Sequence, residues 1–129
     1  MDEDYLATLW HEFFAEEGSF LLQLRVQLRW DKVAFERLTE AMRACCKRYQ
    51  HEQRTEEQRL HALEMRLPRW LAMGFWFIPE FVRDWTSHPA WEQEIAREPA
   101  YFKHAYERLH LLAVWFFEGH SYRDDEEKG

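Results

Sequence analysis

Apolar residues recur at helical spacing along most of the chain. From Asp2 to Glu17, the residues Leu6, Leu9, Trp10, Phe13 and Phe14 fall on one side of a helix. Acidic residues in its first turn suit the positive end of the helix dipole. Gly18 ends it, and Ser19 is placed to cap a second helix.

The next stretch sends two signals. Leu22 to Trp30 alternates apolar and polar residues, as a half-buried strand does. Leu, Gln and Arg are good helix formers, however, and Val26 alone is β-branched. No second strand is evident, and an unpaired strand would leave backbone groups unsatisfied. Moreover, Leu21, Leu24, Leu28, Phe35, Leu38, Met42, Cys45 and Tyr49 hold one heptad register, broken only at Asp31. The segment therefore reads as helix. Leu22, Val26 and Trp30 leave the main stripe and need burial on a second side. Asp31 either kinks the helix, caps a new one or marks a polar layer.

From Gln50 to Arg59 the sequence is almost wholly polar, and Thr55 with Gln58 matches a capping box. This predicts a turn near Gln53–Thr55. The alternative is one solvated helix running through, because Leu60, Leu63 and Leu67 return to the earlier stripe. Pro68 restarts or kinks the chain. A very apolar helix follows from Arg69 to Trp85, bent at Pro79, and Thr86 to Pro89 form a loop. A short helix then runs from Ala90 to Arg97. Pro99 suits the first turn of a last helix ending near Glu118. Residues 119–129, with Asp124-Asp125-Glu126-Glu127, read as an acidic, disordered tail.

These elements add up to an all-α, single-domain helical bundle over residues 1–118. It has five or six helices and a long central helical segment from about Ser19 to Gln53. Run straight, that segment would measure roughly 50 Å. It must bend at Asp31 or extend towards a second protomer, so a homo-oligomer is one expectation.

Composition narrows the function. Asp and Glu outnumber Lys and Arg by 24 to 17, a formal charge of −7, which disfavours nucleic acid as a partner. A charged protein partner would be basic. The acidic N-terminus is unlike an export signal, and no apolar run approaches the ~20 residues that span a membrane. No membrane role and a cytoplasmic location are expected. Cys45 and Cys46 are adjacent and cannot form an ordinary disulfide. Cys45 reads as core and Cys46 as its flank.

Candidate chemistry is sparse. His104, Glu107 and His110 share part of the last helix, and Glu107 with His110 has the spacing used in di-iron bundles. No second such pair exists. The core face of that helix is Phe102, Ala105, Leu109, Leu112, Ala113 and Phe116, so Glu107 points away from it. His51 and His61 flank the polar stretch and would meet across a hairpin. With neighbouring carboxylates they would suit zinc or iron. A metal-binding helical enzyme or sensor using these ligands is thus the alternative function. No cofactor is expected under the leading one. His11, beside Glu12, lies off the first apolar stripe and reads as exposed. The three serines sit in no nucleophile elbow, and no phosphate loop or dinucleotide fingerprint occurs.

The aromatic residues give the stronger lead. They make up 17% of 129 residues, more ring area than one small core readily shelters. On the helix from Arg69 to Trp85, the residues Trp70, Leu71, Phe77, Ile78, Phe81, Val82 and Trp85 share a broad stripe. Trp76 and Met73 fall outside it, beside Glu80, Arg83 and Asp84. These five residues are the candidate partner-binding surface. The leading expectation is a non-enzymatic protein that binds another macromolecule, as an immunity-type inhibitor or an adaptor does.

Overall fold

The computed structural model describes residues 4–52 and 69–118. Within them lie six α-helices and no strand: α1 (Asp4–Phe13), α2 (Phe20–Val26), α3 (Lys32–Glu52), α4 (Arg69–Thr86), α5 (Glu92–Arg97) and α6 (Pro99–Glu118). A 3₁₀ turn, Pro89–Trp91, precedes α5. The expected turn at 53–55, Leu60, Leu63, Leu67 and the tail at 119–129 lie outside the described residues.

Helix α3 packs on α1 and α6, and α4 packs on the same two helices, so α1, α3, α6 and α4 close a bundle. Its core is Leu9, Phe20, Leu24, Phe35, Leu38, Met42, Leu71, Phe75, Ile78, Val82, Leu109, Leu112, Trp115 and Phe116. Phe75 of α4 stacks on Phe116 of α6 at 4.1 Å. At the far end of the same seam, Thr86 Oγ1 and Tyr106 Oη lie 2.6 Å apart. These two contacts fix α4 and α6 as antiparallel neighbours. Gly74 is what lets α1 approach α4, since a Cβ there would overlap the Phe13 ring.

The central helical segment is divided at residues 27–31. The Ser19 hydroxyl caps α2 by accepting from the Leu22 amide at 3.2 Å. Leu28 then takes a positive φ of 51° and is 57% exposed. Asp31 Oδ1 accepts from the amides of Val33 and Ala34 at 3.0 and 3.1 Å. Of the three roles open to Asp31 from sequence, capping a new helix is therefore the one observed. The heptad register fails at Leu28 and resumes at Phe35, Leu38, Met42 and Cys45, all buried. Trp30 finds its second side against Phe20, Phe35 and Phe102, and its indole N–H donates to Tyr101 Oη at 2.8 Å. Val26 remains exposed.

Further expectations need correction. Helix α1 ends at Phe13 rather than near Glu17, and of its apolar stripe Leu9 alone is fully buried, while Trp10 and Phe14 stay open. Cys46 is buried like Cys45, and its thiol donates to the Leu112 carbonyl at 3.6 Å. Burial pushes the Cys45 thiol up to about 12 and raises that of Cys46 as well. On α4, Phe81 is open rather than core. Helix α6 runs from Pro99 to Glu118 as expected, with Trp115 added to its buried face and Ala113 half-buried.

Candidate interaction surface

Helix α4 is packed on its bundle side through Leu71, Phe75, Ile78 and Val82, which recur at helical spacing. The opposite side carries Met73, Trp76, Glu80, Arg83 and Asp84, all exposed. Trp76 is 60% and Met73 45% exposed, unusual for large apolar residues on a helix buried elsewhere. The sequence-predicted residues thus share one solvent-facing surface.

That surface is wider than sequence alone indicated. At the start of α4, Trp70 meets Trp10 of α1 and Phe14 just beyond its end, with ring centroids 5.1 and 6.0 Å apart. Trp10 and Phe14 are themselves 4.2 Å apart and 45% and 50% exposed. Along the α4 edge facing α1 and α2, Phe77, Phe81 and Trp85 stack successively at 5.4 and 5.2 Å. Arg25 of α2 lies over the Trp85 ring at 5.8 Å. Met73 is one turn from both Trp70 and Phe77, so the two ring clusters form one strip. The signal near α1 was available: Leu6, Leu9, Trp10 and Phe13 on a helix of 10 residues, with Phe14 directly after it, exceed what one buried face holds.

On its other edge α4 forms a cleft with α6. Pro79, Ile95, Pro99, Phe102 and Tyr106 give it apolar walls, and Glu80, Arg83, Lys103, Glu107 and His110 bring charge to it, around a volume of ≈ 680 Å³. Pro79 has no amide to bond the Phe75 carbonyl, the local irregularity expected of a proline within a helix. Beyond the cleft, Trp76 meets Phe117 edge-on at 6.2 Å. The partner-binding candidates Glu80 and Arg83 therefore share a cleft with the metal-ligand candidates Glu107 and His110.

The histidine constellation itself is loose. His104 Nδ1 is 3.9 Å from Glu107 Oε2, and both side chains are exposed. Among the described residues no three potential ligands come together. His51 lies in α3, its side chain outside the described set, and His61 lies outside the described residues altogether.

Glu12 is the polar residue that the pattern failed to flag. Its side chain is fully buried, its Oε1 accepts from the Phe20 amide at 2.8 Å, and Oε2 accepts from Arg37 at 3.2 and 3.3 Å. Loss of water raises its pKa, opposed by the Phe20 amide and the Arg37 guanidinium. Arg37 also donates to the Gly18 carbonyl at 3.1 Å, so the pair ties the α1–α2 turn to α3. Glu12 thus serves the fold. His11 is half-buried rather than open, 3.3 Å from Glu16 Oε1.

Among the described residues, no helix is long and apolar enough to cross a membrane. Compared with known proteins, the chain matches no family model, no curated protein and no solved structure.

Proposed function

We propose that the protein is a non-enzymatic interaction protein whose contact surface is the outer side of α4 with the adjoining rings of α1. The single observation that carries this reading is the exposure of Trp76, Met73 and Phe81 on a helix whose inner side is fully packed. Burying a large apolar side chain is worth roughly 1.5–3 kcal/mol. Several left open on one strip represent a binding free energy that a partner would release. Tryptophan and methionine are also common anchors at protein interfaces. Glu80, Arg83 and Asp84 form the polar rim, with both signs of charge represented. The biological role that fits such a surface is that of an inhibitor or adaptor. A cytoplasmic setting belongs to the same proposal, since Cys45 and Cys46 are free buried thiols, as reducing compartments keep them.

The test is Trp76→Ala. Because the ring is 60% exposed, the variant keeps the far-ultraviolet circular dichroism of the parent. It loses roughly tenfold or more in affinity for its partner, measured by pull-down or sedimentation. Unfolding of the variant, or association at unchanged strength, would contradict the assignment.

A further inference from the structure

The occupant of this surface can be argued from its area, its charge and its symmetry. Trp10, Phe14, Met73, Trp76 and Phe81 are between 38% and 60% exposed. Since aromatic side chains present 150–250 Å² each, the five leave on the order of 500 Å² of apolar surface open. A standard interface covers about 800 Å² per partner, about 56–65% of it apolar. The strip has the apolar size of one such interface, and it reaches the upper part of the range of the largest patches on monomers, which are often functional.

Charge identifies the partner. The chain as a whole is at −7, so a surface meant for a basic partner would be acidic. The outer side of α4 is instead balanced, with Arg69 and Arg83 against Glu80 and Asp84, all exposed. The order matters as well. Arg69, Met73, Trp76 and Glu80 follow one another at intervals of four, three and four residues, a seam suited to helix pairing.

Turned antiparallel onto itself, this seam is self-complementary. Arg69 of one copy faces Glu80 of the other, and Met73 faces Trp76, each contact occurring twice as a two-fold axis requires. The same axis sets Phe81 of one copy beside the Trp10–Phe14–Trp70 cluster of the other. In the monomer, Arg69 stands in the first turn of α4, which contains no acidic residue. A cation there opposes the helix dipole, and a facing carboxylate would offset that cost.

We infer that the protein forms a two-fold symmetric homodimer through antiparallel pairing of α4 with α4 of a second copy. The inference rests on reading this side of α4 as a contact surface, and names its occupant.

Sedimentation velocity of the full chain across a concentration series tests it. The expected result is a reversible shift from 16.0 kDa towards twice that mass. Trp76→Ala and Met73→Ala each weaken the dimer by roughly tenfold or more. Arg69→Glu and Glu80→Arg each weaken it as single changes, and the double variant recovers association, which a merely destabilised fold would not. A chain monomeric at every concentration, a dimer indifferent to these changes, or a double variant as impaired as the singles would overturn the inference. If the chain stays monomeric but forms a Trp76-dependent complex with another macromolecule, the surface assignment stands and the second copy is wrong. If no association of either kind depends on Trp76, both fall.

Discussion

Glu12 shows how a single charge can be tolerated inside a helical core. Its carboxylate accepts one hydrogen bond from a backbone amide and two from a guanidinium, which replace most of the water it gives up. Desolvation still dominates and raises its folded pKa above 4.5. A raised carboxyl pKa means that Glu12 holds its titrating proton more tightly in the folded chain than in the unfolded chain. The contribution of Glu12 is therefore fully present below about 4.5 and is lost as pH rises through the folded value. Chemical denaturation of the parent and of Glu12→Gln across this window checks the sign. The parent should lose stability relative to the variant as pH rises, and a relative gain would mean that Arg37 outweighs desolvation. Gly74 supplies a second residue-level test. Gly→Ala inside a helix ordinarily stabilises by up to about 1 kcal/mol. Here the added Cβ would strike the Phe13 ring, so Gly74→Ala should destabilise by about 1–3 kcal/mol in urea titration.

At the scale of the element, capping residues decided what periodicity left open. Leu21, Leu24 and Leu28 continue the register of α3, yet Leu28 sits at φ 51° outside any helix. The break comes from Asp31, whose carboxylate accepts two amides of α3 and also accepts from the Gln23 side chain at 3.1 Å. Asp31→Ala should therefore cost about 1 kcal/mol at neutral pH. These hydrogen bonds lower the Asp31 pKa below 3.8. Its contribution is thus present above about 3.8 and fades as pH falls through the lower folded value, so the difference from the alanine variant should shrink in acid. Much of the architecture was legible: the bounds of α6, the Ser19 cap and the core face of Phe102, Ala105, Leu109, Leu112 and Phe116 follow from spacing and punctuation. Spacing did not reveal the Glu12–Arg37 pair, because a buried charge looks like a surface one until its distant partner is placed. Nor did it show Phe81 to be open, since a stripe gives direction around a helix but not how far neighbouring helices reach. Trp76 and Met73 were legible for the opposite reason. They stand well off the stripe, on the side of α4 turned away from the rest of the bundle.

For the whole molecule, α1, α3, α6 and α4 close on one another, and Met73, Trp76, Glu80, Arg83 and Asp84 on the outer side of α4 are left exposed. Two copies at −7 repel at long range, while the seam that joins them is locally balanced. Salt screens the first effect more than it weakens ring burial. Self-association should therefore hold or tighten as ionic strength rises, whereas capture of a basic partner would weaken. Sedimentation at low and high salt separates the two.

The most direct measurement is hydroxyl-radical footprinting of Met73 and Trp76, with the chain diluted well below and then concentrated well above its dissociation constant. The account predicts that both residues oxidise readily in dilute solution and become protected together on association, while solvent-facing residues of α6 such as His104 react at an unchanged rate. Met73 and Trp76 reacting equally fast in the dilute and associated states would contradict it.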